Sequence, residues 1–266
     1  SWNNGNIGSF NLSYSMGMGR PNFWDLNPFR YYSASDDYAS GNPELKPTLY
    51  HNAEINYYGL GGLYAVLYTS FAKDAIGHIR HFDNDGVKST IPFNCMTTNK
   101  TGMYASYRCN IFKWWEMTVG GEVFHSYAHS NKALFAASSV NDWSGKLEIS
   151  GNWMLNRQKN FILNARFSHY FPWQDSMTEY KELQLLSLTL RYSLLNNRLN
   201  LRLAANDIFG WNKSRSKQQF NDFTLYQKFD SHQAQLLFCI TYNFGGDKVN
   251  RVWRDSKETQ LSRTNK

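Results

Sequence analysis

Runs in which every second residue is apolar recur along this chain, and the connections between them alternate short and long. The last run shows the pattern most fully. Ala234, Leu236, Phe238, Ile240, Tyr242 and Phe244 alternate with Gln235, Leu237, Cys239, Thr241 and Asn243. Side chains on a strand point to opposite faces in turn, so such a run has one greasy face and one largely wet face. About ten runs read this way: 10–18, 49–57, 63–71, 103–107, 115–123, 143–153, 161–167, 186–194, 199–205 and 234–244. In 63–71 apolar residues fall on both faces, which leaves its orientation open. Short turns sit at Gly59-Leu60-Gly61-Gly62, Asn110 to Lys113, Asn156-Arg157-Gln158-Lys159 and Asn196-Asn197. Long polar segments sit at 20–46, 130–142, 172–181 and 211–231. Residues 74–98 read as an extended hairpin turning at Asp83-Asn84-Asp85-Gly86.

These features predict an all-β protein, an antiparallel transmembrane β-barrel of about ten strands. A barrel strand needs about ten residues of alternating character, and outer-membrane barrels place short turns on one side and long loops on the other. Glu54, Arg108, Glu116, Glu122, Lys146, Glu148, Arg166, Arg191 and Arg202 all fall on the non-greasy face. That placement avoids the cost of a charge in lipid, but a soluble sandwich would place its charges the same way. The aromatics decide between the two. They make up 17% of the chain, and Tyr57, Tyr58, Trp114, Trp115, Trp153, Tyr192, Tyr242 and Phe244 gather at strand ends beside the short turns. An interfacial girdle predicts that clustering, whereas a soluble core would spread rings along the strands.

The remaining composition mostly excludes. No run of about eighteen apolar residues exists, so no transmembrane helix is expected, and a barrel needs none. The net charge of +7 is scattered, and no basic stripe or nucleic-acid motif accompanies it. Cys95, Cys109 and Cys239 are too widely spaced for a CxxC or metal cluster. His78 and His81 lie three apart, which on a strand turns their rings to opposite faces. Glu116 and Glu122 lie about 20 Å apart along one face, too far for paired-carboxylate chemistry. No phosphate loop, dinucleotide fingerprint or nucleophile elbow is present, so no enzyme activity, cofactor or metal is expected. The loop aromatics Phe23, Trp24, Phe29, Tyr31, Tyr32 and Tyr38 remain as residues that could stack on a ligand, against the alternative that they pack their own loop.

Three motifs then point to a family. Arg20-Pro21, Asp25-Leu26-Asn27-Pro28-Phe29 and Gly41-Asn42-Pro43-Glu44-Leu45-Lys46-Pro47 resemble the C-terminal barrel of TonB-dependent outer-membrane receptors, nearest the outer membrane protein beta-barrel family. In that family an Asn-Pro-x-Leu-Lys-Pro element ends an extracellular loop and leads into a descending strand. Asn42, Pro43, Leu45, Lys46 and Pro47 match it. Asn206-Asp207-Ile208-Phe209 resembles the ending of the family's penultimate strand, and Tyr242-Asn243-Phe244-Gly245 its closing strand. The matching positions there are Asp207, Phe209, Tyr242 and Phe244.

The resemblance implies residence in the outer membrane of a Gram-negative bacterium and a part in nutrient uptake. Its partners would be outer-membrane lipid, a plug and further N-terminal barrel strands of the same receptor, and an energy-coupling protein reached through that missing part. Such receptors have about twenty-two strands, so this chain reads as a portion of a larger barrel. Residues 1–244 would form the barrel segment and 245–266 a basic, polar tail. A small stand-alone outer-membrane pore and a soluble glycan-binding β-sandwich are the alternatives.

Overall fold

A computed structural model of the chain describes residues 2–4, 8–131, 135, 139–221, 223–230 and 234–244. The tail expected over 245–266 lies outside the described residues. In chain order the elements are β1 (Trp2–Asn4), β2 (Gly8–Gly19), a single helical turn α1 (Phe23–Leu26), β3 (Arg30–Ala34), β4 (Asp37–Ser40), β5 (Thr48–Gly59), β6 (Leu63–Phe82), β7 (Lys88–Phe112) and β8 (Trp115–Ser130). They continue with β9 (Ser139–Met154), β10 (Phe161–Tyr170), β11 (Trp173–Asp175), β12 (Thr178–Tyr180), β13 (Leu183–Leu194), β14 (Leu199–Asn206), β15 (Lys213–Gln219), β16 (Thr224–Asp230) and β17 (Gln235–Tyr242).

Ten of these strands form one antiparallel wall in the order β2-β5-β6-β7-β8-β9-β10-β13-β14-β17. They correspond to the ten alternating runs of the sequence. Their register puts like beside like. Leu12 pairs with Ile55, Ile55 with Leu67, Leu67 with Met103 and Met103 with Val123. On the far side of the wall Leu163, Leu190, Leu203 and Phe238 form a similar row. This face stays uncovered: Leu12 is 72% exposed and Leu236 74%. No second sheet packs on it among the described residues, which a sandwich would require. Pairing also settles β6, whose Leu63, Ala65 and Leu67 share the greasy face with Tyr107, Ala105 and Met103. The opposite face carries the nine strand charges named above, while Lys73, opposite Leu49 at the outer end of the wall, lies on the greasy side.

Aromatic pairs rim the greasy face where the short turns lie. Ring centroids are 4.8 Å apart for Phe10–Tyr57, 5.0 Å for Phe161–Tyr192, 5.7 Å for Trp115–Trp153 and 4.6 Å for Tyr242–Phe244. From Trp153 up β9 to Trp143, on the same face, is about 33 Å along the strand. At the usual tilt of barrel strands that is a band of about 25 Å, the height of the apolar belt of outer-membrane barrels.

The turns follow from their residues. Gly62 sits at φ +120°, and a Cβ there would meet the Arg108 carbonyl oxygen at 2.6 Å, so only glycine fits this approach. Asn196 and Asn197 take φ values of 52° and 66°, a left-handed region asparagine tolerates better than most residues.

β6 and β7 run 20 and 25 residues, about twice what a bilayer requires, so their hairpin projects beyond the wall at the end with the long connections. Asp74, at φ 55°, marks a register shift in β6 where the projection begins. The buried core lies around this projection, not in the wall. It joins Ile79, Cys95, Met96, Ala128, Phe135, Met177 and Phe220. A second sheet, β11-β12-β15-β16, is built there from the segments read as polar loops at 172–181 and 211–231.

Among the described residues the wall does not close on itself. Its edges are β2 and β17; β1 covers only Gly8 to Phe10 of the outer edge of β2.

Candidate binding site

Two surfaces at the long-connection end carry the chemistry, and the first is the segment between β2 and β5. Asn22 caps α1, its Oδ1 accepting from the Asp25 amide at 2.8 Å. Asn27 Oδ1 accepts from the Phe29 amide at 3.1 Å, while its Nδ2 donates to the Tyr31 hydroxyl at 2.6 Å. Gly41 donates to the Asn27 carbonyl at 2.8 Å, so close that a Cβ would lie 2.5 Å from that oxygen. β4 runs parallel to β7 over Asp37–Ala39 and Lys88–Thr90. Because β6 already occupies one edge of β7, β4 lies on the other, and the segment must cross a face of the projecting hairpin to reach it.

The family-motif residues hold that crossing in place. Asn42 Nδ2 donates to the Pro92 carbonyl at 3.2 Å, and its Oδ1 accepts from the Glu44 amide at 3.0 Å. Leu45 is buried. The Asn94 side chain meets Lys46 as a strand would, accepting from its amide at 2.7 Å and donating to its carbonyl at 2.8 Å. Pro43 and Pro47 restrict the backbone on either side. His78 Nε2 lies 3.0 Å from Asp25 Oδ1, which ties α1 to β6. Lys88 Nζ lies 2.6 Å from Asp37 Oδ2. That hydrogen bond, together with one from Ser33, holds the Asp37 carboxyl below its ordinary value.

The loop aromatics do not form one platform. Trp24 meets Tyr31 edge-on at 5.2 Å and Phe23 at 5.7 Å. Tyr32 and Tyr38 pair at 5.6 Å, and the Arg30 guanidinium lies 4.7 Å above the Tyr38 ring. Phe29 stands 74% exposed. These rings form two separate surface groups, and none of them lines the large cleft described next.

That cleft, about 930 Å³, is built on the second sheet. Its floor is a face-to-face stack of Trp173 on Tyr180, 4.8 Å apart and 6° from parallel. Burial, and then the Asp175 charge, raise the Tyr180 pKa and keep its phenol protonated. Lys181 donates its amide to the Arg215 carbonyl, and Arg215 stands opposite Lys228, so three cations lie on adjacent chain segments. Lys217 offsets Glu179 at 3.9 Å, and Lys228 offsets Asp230 at 2.7 Å. Arg80 on the projecting β6 donates to Gln218 Oε1 at 3.0 Å and joins this sheet to the hairpin. Little in the sequence warned of the cleft. Only the alternation of Leu225, Gln227 and Phe229 against Thr224, Tyr226 and Lys228 could have marked β16.

The wall's inner face is polar, and some of its charges pair within it. Tyr68 donates to Glu122, which Lys100 approaches at 3.6 Å while lying 3.9 Å over the Phe124 ring. Lys146 meets Glu148 at 2.6 Å. Asp207 closes the turn after β14, its Oδ1 accepting from the Trp211 and Asn212 amides at 2.7 and 3.1 Å. Phe209 stacks on Trp211 at 4.8 Å. Among the described residues no group of three potential metal ligands converges.

A wall with one lipid-suited face, one polar face and an aromatic rim is that of an outer-membrane barrel protein. Residues 1–243 match the outer membrane protein beta-barrel family, and the chain belongs to it. Its place is therefore the outer membrane of a Gram-negative bacterium, with short turns toward the periplasm and the second sheet outside. Among solved structures the chain is similar to the siderophore receptor PirA from Pseudomonas aeruginosa, with a TM-score of 0.55 at 12% identity. The similarity covers 85% of this chain and 40% of the receptor. No curated protein matches.

Proposed function

We propose that this chain is the C-terminal transmembrane portion of a TonB-dependent-receptor-like importer that takes a scarce nutrient across the outer membrane. The observation that carries the reading is the open wall. Ten strands carry the lipid face, yet the outer edge of β17, and that of β2 beyond Phe10, are unpaired among the described residues. In hydrocarbon each unsatisfied backbone group costs several kcal/mol, so such edges need further strands. A larger closed barrel, holding a plug in its lumen and reached by an energy-coupling protein from the periplasm, supplies them. The similarity of the fold to 40% of a receptor barrel supports the same reading. Lipid is the partner of the greasy face, and nucleic acid is none.

In this reading the cleft over Trp173 and Tyr180 is where solute first binds, and the inner face of the wall lines its path. The protein performs no covalent chemistry and needs no cofactor; the work of gating comes from the inner membrane. The test is uptake by intact cells expressing the full-length protein, on a panel of scarce nutrients, before and after collapse of the proton-motive force. Energy-dependent uptake that disappears with the gene is expected. Uptake that persists without the proton-motive force would instead make the protein a passive pore.

A further inference from the structure

On the inner face of the wall, low on the side of the short turns, Arg191 of β13 and Arg202 of β14 are direct cross-strand partners. Directly opposed residues have Cα atoms roughly 5 Å apart, a position where opposite charges stabilise a sheet and like charges destabilise it. A guanidinium cannot relieve the repulsion by losing its proton. Elsewhere on the inner face Lys100 has Glu122 and Lys146 has Glu148, while Arg108 and Arg166 stand opposite uncharged residues, Thr118 for the first and Ser150 and Ser187 for the second. Neither Arg191 nor Arg202 makes an ion pair or hydrogen bond with any described residue.

The surroundings are those of a site. The two arginines line a concavity of about 440 Å³ together with Asn152, Asn164, Thr189 and Glu116. Asn164 Nδ2 donates to Asn152 Oδ1 at 2.9 Å, which orients both amides along its wall. Glu116 does not neutralise the pair. It shares a cross-strand row with Asn152, Asn164 and Thr189, which puts it three strand spacings from Thr189, about 14 Å along the sheet.

We infer that Arg191 and Arg202 form an oxyanion-binding fork in the lumen, occupied by a carboxylate or phosphate group that bridges the two guanidiniums. Planar, double N–H edges suit the paired oxygens of such groups better than a lysine ammonium does. The anion comes either from an acidic side chain of the same protein seated in the lumen or from a solute. The fork follows from strand register and does not depend on the import reading.

The test is thermal unfolding of the full-length protein in detergent, with inorganic pyrophosphate added at constant ionic strength. The proteins compared are wild type, Arg191→Gln, Arg202→Gln and the charge-retaining pair Arg191→Lys with Arg202→Lys. If the anion is a solute, pyrophosphate raises the wild-type Tm by about 2 °C or more, and the glutamine variants lose that shift. If it is a resident carboxylate, pyrophosphate does nothing, and each glutamine variant melts about 2 °C or more below wild type. In both cases the lysine pair recovers only part of the effect. The fork is overturned if pyrophosphate has no effect and neutralisation leaves the Tm unchanged or raises it, the result expected of a bare repulsive pair.

Discussion

The wall and the cap above it, the projecting β6–β7 hairpin with the second sheet packed around it, solve opposite solvent problems within one chain. In the wall, large apolar side chains such as Leu12 and Leu236 are exposed, because lipid is their solvent and backbone pairing between strands carries the structure. In the cap, residues such as Phe220 and Phe135, stacked at 5.3 Å, are buried together as in a soluble protein, because water surrounds them. The same residue types therefore stabilise by facing out in one region and by facing in in the other. Burial alone says little about importance in such a molecule; the medium each face meets decides it.

Substitutions in the two regions should separate cleanly. The largest effect expected is from Phe220→Ala, which removes a ring packed against Phe135 and Phe223 at about 3–5 kcal/mol. Limited proteolysis should then cut the cap faster while the heat-modifiable gel mobility of the barrel is kept. Loss of that mobility as well would show that cap and wall are one cooperative unit. Next, Ile149→Arg puts a charge near the middle of the lipid face and should cost about 2–4 kcal/mol in urea unfolding from lipid vesicles. Its lumen-facing neighbour changed in the same way, Ser150→Arg, should cost far less. Equal costs would break the assignment of faces.

Smaller effects sharpen the boundary. Asn94→Ala removes the side chain that joins Lys46 to the β6 shift through bonds to the Lys46 backbone and the Asp74 carbonyl, the last at 2.7 Å. About 1–3 kcal/mol should be lost, read as faster hydrogen exchange confined to residues 40–48. The smallest effect is pH-dependent. The Asp37 carboxyl titrates below its ordinary value through Lys88, so its contribution is full above the unfolded carboxylate pKa of about 3.9 and is lost as pH falls through the lower folded value. Cleavage of the loop between β2 and β5 should accelerate only below about pH 4, and Asp37→Asn should abolish that dependence.

How much was legible depended on how local the information is. The ten wall strands, the short-turn end and the aromatic rim could be read directly, because alternation and turn residues are local and the meander pairs neighbours in sequence. The Asn42-to-Pro47 motif was legible as the entry to a strand, but not its grip on Pro92 and Asn94. The second sheet was missed. β11 and β12 have three residues each, and β15 alternates Ser214 and Ser216 with Lys213, Arg215 and Lys217, which offers no apolar face to detect. The loop aromatics were candidates for stacking on a ligand, and the structure divides them into a Phe23–Trp24–Tyr31 group and a Tyr32–Tyr38 pair, with Phe29 apart.

The sequence by itself determined the faces of nine of the ten wall strands, since side-chain direction on a strand depends only on parity, and with the aromatic rim it pointed to the membrane; strand pairing was needed to orient β6. Tertiary structure alone decided which residues meet. The bond between Arg80 and Gln218 spans 138 positions, and the opposition of Arg191 to Arg202 depends on how the β13–β14 turn sets register. A register slip of two residues would preserve every face and change every partner.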